Sequence, residues 1–94
     1  MGQINEQLQE MLSHISEGNL NFKEFEFYYD LVKRIVEENL IDLPITYVDA
    51  LLQAEVNYTD MDEAYDCMVK RQYLKDVIKP SLEKEENELN DNVI

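Results

Sequence analysis

Residues 22–40, FKEFEFYYDLVKRIVEENL, hold five of the nine aromatic side chains of the chain within their first eight positions. The residues around the start of this segment predict a helix boundary, because Asn21 suits an N-cap and Glu24, three residues on, completes a capping box. Leu20 and Phe25 occupy the two positions of a hydrophobic staple. We therefore predict that the central helix of the fold begins immediately after Asn21.

The apolar side chains of this central helix cover roughly 220° of a helical wheel, about twice the stripe of an ordinary surface helix. One neighbouring helix cannot cover so wide an arc, so we expect cover on two sides. Phe27 and Leu31 lie at the edge of the arc and are predicted partner-binding residues. If Phe27 and Leu31 are buried within the protein, the helix serves only the fold. If they are exposed, the helix can also bind another chain. We predict that the helix stops between Asn39 and Asp42, because Pro44 disfavours helical geometry at Leu43 and Asn39 can serve as a C-terminal cap.

The composition predicts an all-α fold, because two glycines and two prolines are too few for the turns of a sheet-rich domain. Apolar residues at helical spacing indicate a first helix that is closed by Gly18. Thr46 with Asp49, and then Thr59 or Asp60, resemble the caps of two later helices. We expect a compact bundle of four main helices around the aromatic-rich one, at about 3–17, 22–40, 45–57 and 60–78.

Pro80 is expected to end or kink the fourth helix. We therefore divide the chain into a single helical domain, residues 1–80, and an acidic C-terminal segment, residues 81–94, expected to be a short peripheral helix or a frayed tail. A chain of 94 residues can bury one core but not two.

The fourth helix changes its apolar face halfway along. One side is defined by Met61, Ala64, Tyr65, Met68 and Val69, and another by Cys67, Leu74, Val77 and Ile78. The two halves are therefore predicted to pack on different neighbours. The same helix carries a basic stripe, Arg71, Lys75 and Lys79, which we expect to balance carboxylates of this protein rather than to bind phosphate.

The formal net charge is −13, from 21 acidic and 8 basic residues. This excess argues against nucleic acid or an anionic membrane as the direct ligand and favours a basic protein surface, such as that of a nucleic-acid-binding protein. From position 35 to position 69 there are nine acids and no Lys or Arg. The predicted partner-binding acids are Glu55, Asp60, Asp62, Glu63 and Asp66.

Glu55 has two interpretations. If the third helix reaches residue 57, Glu55 falls within its apolar arc and becomes a partly buried carboxylate of the kind that marks a site. The alternative, which we favour, is that the helix frays before Glu55.

Motifs for catalysis, cofactors and metals are not recognised. An EF-hand loop counted from Asp60 would place Tyr65 where the turn needs glycine and Arg71 where it needs a bidentate glutamate. His14 lacks the spacing of a di-iron ligand, and Cys67 follows an aspartate, which disfavours a reactive thiolate. We therefore predict no catalytic, cofactor or metal residues and no enzyme. A cytoplasmic location is expected from the single cysteine and from the absence of a long apolar run.

These observations favour a non-catalytic inhibitor or regulator of the immunity, antitoxin or phage type, which binds a basic surface of a partner. A narrower form of this hypothesis is that the acidic surface imitates the phosphate rows of nucleic acid. The alternative is an assembly or adaptor protein that acts through homodimerisation or through a hydrophobic groove for another chain's helix.

Overall fold

The computed structural model of the chain describes residues 2–83. Its helices are α1 (Gly2–Glu17), α2 (Phe22–Glu37), α3 (Ile45–Gln53) and α4 (Met61–Tyr73), and α4 continues through a π-helical turn, Leu74–Ile78, into α-helical residues 79–83. Two short strands, β1 (Leu20–Asn21) and β2 (Val56–Asn57), lie between helices. The prediction of a compact all-α fold is confirmed.

Helix α2 begins where its capping residues predict. The Asn21 side chain accepts a hydrogen bond from the Glu24 backbone N–H at 2.8 Å, and the Glu24 carboxylate accepts one from the Asn21 N–H at 3.0 Å. The helix ends at Glu37, three residues earlier than predicted, because Asn39 adopts a left-handed conformation with φ 52°. The Leu40 N–H then bonds the Ile35 carbonyl at 3.0 Å, which closes the helix in a Schellman motif.

Strands β1 and β2 form a two-stranded parallel sheet, which was not predicted from the sequence. Leu20 of β1 lies opposite Val56 of β2, and the Leu20 N–H bonds the Glu55 carbonyl at 2.9 Å. Gly18 allows the chain to turn from α1 into β1, because its φ of 151° is rarely adopted by residues with a side chain.

The boundaries predicted for α3 were wrong at the C-terminus. The helix ends at Gln53 rather than at 57, because Ala54 is already extended and leads into β2. The expected cap from Thr46 was also wrong, since the helix begins at Ile45 with Pro44 as its N-cap and without a side-chain hydrogen bond there.

The helix that begins with α4 does not end at residue 78 as predicted. It passes through Pro80 to residue 83, the last that the structure describes. The π-helical turn just before Pro80, in which the Lys79 N–H bonds the Leu74 carbonyl, widens the backbone where the proline ring would otherwise meet the carbonyl of Asp76. Leu82 belongs to the core, at 9% exposure. Most of the predicted C-terminal segment 81–94 lies outside the described residues.

The core gathers around α2, as predicted for the aromatic-rich helix. Side chains with no exposed surface come from α1, α2, α3, β1 and the π-helical turn after α4: Met11, Leu20, Phe25, Val32, Ile35, Val48, Leu51 and Leu74. Within residues 2–83, the helices are too short or too polar to cross a membrane.

Candidate functional site

The most apolar face of helix α4, judged from its sequence, points away from the core. Cys67 and Leu74 are buried on its inner side, at 3% and 0% exposure, and Lys70 and Arg71 are half-buried beside them. We use the name outer α4 face for the exposed side chains at helical spacing on the opposite side: Met61, Tyr65, Met68, Val69 and Gln72. The prediction that Met61, Tyr65, Met68 and Val69 pack on a neighbouring helix was therefore wrong.

Arg71 is one reason for this orientation. Its guanidinium donates a hydrogen bond to the Ala54 carbonyl and lies over the Phe25 ring, 5.7 Å from the ring centre. The Ala54 carbonyl needs such a donor because α3 has just ended. The arginine therefore fastens α4 to the end of α3, and its inward position leaves the Met61 and Tyr65 side of the helix in solvent.

Lys70 is the second inward cation. Its ammonium lies 3.0 Å from the Asp66 carboxylate and 3.8 Å from that of Glu26, above the Tyr29 ring. Burial lowers the pKa of Lys70, but the hydrogen bond to Asp66 and the charges of Asp66 and Glu26 outweigh burial and raise this pKa. Lys70 thus joins α4 to α2, and Asp66 is engaged in an ion pair within the protein.

Two grooves border the ridge that Met68 and Gln72 form along α4. The larger has a volume of about 420 Å³ and runs past Val69, Tyr73 and Val77. The Tyr73 hydroxyl donates to the Glu37 carboxylate at 2.6 Å, which anchors that side of the groove to α2. The smaller, of about 240 Å³, lies on the other side of the ridge and is lined by Leu52, Tyr58, Ala64, Cys67, Arg71 and Lys75 as well.

Charge is distributed unevenly along the two edges of the outer α4 face. Asp62 and Asp66 lie seven and three residues before Val69, so they share its side of the helix, and Asp76 lines the larger groove. Lys75 lines the smaller groove on the other edge. One edge is therefore acidic and the other carries a base.

Two of the predicted partner-binding acids, Asp60 and Glu63, stabilise the start of α4. The Asp60 carboxylate accepts a hydrogen bond from the Glu63 N–H at 2.9 Å, so Asp60 is the N-cap of α4, as predicted. Glu63 accepts from the Thr59 N–H at 2.8 Å and from its hydroxyl at 3.1 Å. These two carboxylates hold the loop before α4 against its first turn, whereas Asp62 in the same turn is exposed.

The other predicted partner-binding residues lie elsewhere. Glu55 is exposed in the link between α3 and β2, so its interpretation as a partly buried carboxylate was wrong and the alternative of an earlier helix end is confirmed. Phe27 is 50% exposed and Leu31 is half-buried. Both residues lie on the side of α2 next to Tyr28, whose hydroxyl contacts His14 of α1. Glu26, which contacts Lys70, lies on the side of α2 that faces α4.

The basic stripe predicted on α4 is divided by the fold. Arg71 turns inward, Lys75 is exposed, and the Lys79 ammonium meets the Asp49 carboxylate of α3 at 2.8 Å. The expectation that the stripe balances the protein's own carboxylates is confirmed for Lys79.

Cys67 and His14 are polar groups that lie apart from the outer α4 face. Burial raises the pKa of the Cys67 thiol, and the nearby charges of Arg71 and Lys70 offset part of this effect. The His14 Nδ1 atom lies 2.8 Å from the Tyr28 hydroxyl and 3.3 Å from the Glu24 carboxylate, in a contact between α1 and α2. Groups of three His, Cys, Asp or Glu side chains able to hold a metal are not found in residues 2–83.

Sequence reasoning missed Tyr65, Met68 and Val69 as surface residues. The signal that could have identified them is the spacing of Cys67, Leu74 and Ile78 at i, i+7 and i+11, which forms one inner stripe through both halves of the helix.

Comparison with protein-family models, with curated proteins and with solved structures gave no match for this chain. The outer α4 face and its charged edges are therefore the basis for a functional proposal.

Proposed function

We propose that the protein is a non-catalytic inhibitor or regulator that binds a basic protein partner through the outer α4 face. The observation that carries the proposal is a contiguous exposed apolar surface on a small helical fold, with Met61 81%, Tyr65 65% and Met68 58% exposed. Such patches mark interaction sites when polar groups surround them. Methionine and tyrosine are enriched at protein interfaces. A cytoplasmic location belongs to the same proposal, because the single cysteine is a free and buried thiol.

In this proposal the charges of the protein govern the rate of association, and its apolar surface supplies the affinity. The net charge of −13 and the carboxylates of Asp62 and Asp76 attract a basic partner and speed association. Desolvation of Tyr65 and Met68 in the bound state supplies most of the affinity, because binding energy concentrates in a few buried central side chains. The partner therefore needs an apolar centre with basic residues along one side.

Nucleic-acid mimicry is the narrower form of this proposal. It would require the acids between positions 35 and 69 to act together on a nucleic-acid-binding protein. Three of these nine carboxylates lie in ion pairs within the fold, namely Glu38 with Arg34, Asp49 with Lys79 and Asp66 with Lys70. Competition by duplex DNA for the partner would support this narrower form.

The test compares two pairs of charge-neutralising substitutions. Asp62→Asn with Asp76→Asn removes two carboxylates beside the outer α4 face, and Glu6→Gln with Glu10→Gln removes two exposed carboxylates from α1. Proteins retained from source-cell lysate are eluted in steps of increasing salt and identified, and the dissociation constant of the recovered partner is measured. We expect the α4 pair to weaken binding about tenfold and the α1 pair only a few-fold. Equal effects, or affinity independent of salt, would contradict the proposal.

Homodimerisation through α2 is a second candidate, supported by the 50% exposure of Phe27. Its ring lies beside that of Tyr28, with the ring centres 5.5 Å apart, on the edge of α2 that faces away from α4. Sedimentation equilibrium of the wild type and of Phe27→Ser distinguishes the two. A wild-type dimer that the substitution converts to monomer would support the second candidate, and a wild-type monomer at high concentration would exclude it.

A further inference from the structure

We infer that the outer α4 face receives one amphipathic, basic α-helix of the partner, laid lengthwise along α4. The inference rests on the proposed function and narrows it from a basic protein surface to a basic helix.

The shape of the surface fits a helix. Met68 and Gln72, four residues apart, form a ridge with a groove on each side, of about 420 and 240 Å³. Ridges of residues spaced by four are the elements that interlock when two helices pack. The exposed apolar residues extend from Met61 to Val77, which is about 24 Å at 1.5 Å per residue. That length accommodates a partner helix of about 16 residues.

The side chains fit an apolar partner stripe. Met61 and Met68 are unbranched and adapt to irregular surfaces, which suits a groove that is open when empty. Tyr65, between them on the helix, adds a large aromatic surface together with a hydroxyl that can stay in water at the rim. An apolar stripe on a helix presents leucine-sized side chains at spacings of three and four residues, which is the spacing of this face.

The charges along the two edges of the outer α4 face determine which partner helix fits. Asp62 and Asp76 are exposed along one edge, where Asp66 is already paired with Lys70, so the partner helix places Lys or Arg beside Asp62 and Asp76. The Lys75 edge accepts neutral or acidic residues. A second copy of this chain is disfavoured, because each copy carries −13 and an antiparallel twofold pairing of α4 brings the two acidic edges to the same side. Residues 84–94 of the chain contain four acids and one lysine, so their charge does not complement the acidic edge.

The test uses three synthetic peptides of 18 residues. The first is a leucine–lysine peptide with leucine on one helical face and lysine on its flanks, the second has the same composition in a scrambled order without a face, and the third replaces each lysine of the first with glutamate. Dissociation constants come from the anisotropy of a fluorescent label. We expect the first peptide to bind about tenfold more tightly than the second, and the third not to bind.

Variants locate the binding site. Tyr65→Gln with Met68→Gln removes the apolar centre of the outer α4 face, and Phe27→Gln removes a comparably exposed apolar side chain from α2. Circular dichroism verifies that both variants are folded. We expect the α4 variant to lose the tenfold preference for the amphipathic peptide and Phe27→Gln to keep it. Unchanged preference in the α4 variant would overturn the inference.

The peptide series also separates this inference from the proposed function. Equal, salt-sensitive binding of the amphipathic and scrambled basic peptides would overturn the helix inference and leave the charge part of the proposed function standing. If neither basic peptide bound at low salt, the helix inference would be overturned as well, whereas the lysate experiment tests the proposed function independently.

Discussion

Arg71 shows how a single residue decides which surface a helix exposes. In the sequence it belongs to a basic stripe that is expected to balance carboxylates, but in the fold it donates to the Ala54 carbonyl and lies over the Phe25 ring. Its Nε–H is buried without a hydrogen-bond partner in the part of the chain that the structure describes. The inward position of Arg71 therefore carries a desolvation cost in free energy. Residue spacing could not predict the contact, because Ala54 is 17 positions away.

Replacing Arg71 with alanine is expected to lower the free energy of unfolding by about 2 kcal/mol, because the Ala54 carbonyl loses its donor and Phe25 loses packing. Arg71→Lys should recover only part of this loss, since an ammonium cannot lie flat against the ring while it donates to the carbonyl. The measurement is urea unfolding monitored by circular dichroism. Lys75→Ala, four residues on and exposed, is the matched control and should change stability by less than about 0.5 kcal/mol. Equal losses in the two alanine variants would contradict the role assigned to Arg71.

Cys67 is expected to react slowly with thiol reagents. It is 3% exposed, and burial raises the pKa of its thiol, so both access and the thiolate fraction are low at neutral pH. Labelling by a maleimide or an aromatic disulfide should be at least about a hundredfold slower in the native protein than in denaturant. Fast native labelling would show that the inner side of α4 is open to solvent.

At the scale of elements, most boundaries set by neighbouring residues were predictable, with the start of α3 as an exception, and the boundary set by a distant strand was not. The capping box of Asn21, the left-handed Asn39 and the turn at Gly18 are local and appear in the structure. The β1–β2 pairing joins Leu20 to Val56, and two-residue strands leave no pattern in a sequence. That pairing is also why the third helix ends before Glu55.

The caps of α2 and α3 provide a matched comparison. Asn21→Ala should destabilise the protein by about 1 kcal/mol, because it removes the acceptor for the Glu24 N–H. Thr46→Ala should be almost neutral, because α3 begins at Ile45 and has no side-chain cap. Thermal and urea unfolding of the two variants measure the difference. A large loss for Thr46→Ala would restore the predicted cap and contradict the observed start of α3.

The orientation of α4 was the main error at this scale, and it moved the candidate site. Four of the predicted partner-binding acids do lie at the start of α4, but Asp60 and Glu63 support its first turn and Asp66 pairs with Lys70. Of these four, Asp62 is the one left to border the apolar surface. Helical periodicity finds both apolar faces of this helix. The buried face is flanked by Lys70 and Arg71, so it looks less apolar in the sequence than the exposed face, although the spacing of Cys67, Leu74 and Ile78 marks it.

At the scale of the whole molecule, stability should fall at alkaline pH. Burial raises the pKa values of Tyr28, Tyr29 and Cys67, and the interactions of Lys70 with Asp66 and Glu26 raise its pKa against the effect of burial. The folded protein therefore holds these protons more tightly than the unfolded chain does. The contribution of these groups to the free energy of unfolding is fully present below their ordinary pKa values and is lost as pH rises above them.

The free energy of unfolding is expected to decline from about pH 8.5, the ordinary pKa of a thiol, through the range in which tyrosine and lysine ionise. Urea unfolding at constant ionic strength from pH 7 to pH 11 measures it. Tyr29→Phe keeps the ring and removes one titrating hydroxyl, so its decline should be shallower than that of the wild type. A free energy that rose with pH over this range would contradict the assigned pKa directions.

The most direct measurement of the orientation of α4 is the unfolding free energy of the double variant Tyr65→Gln, Met68→Gln. Because both side chains are mainly exposed, at 65% and 58%, we predict a loss of less than about 1 kcal/mol relative to the wild type. If these side chains were packed in the core instead, their replacement would cost about 2 to 5 kcal/mol for each residue. A loss of that size would contradict the outward orientation of this face and remove the basis for assigning a partner to it.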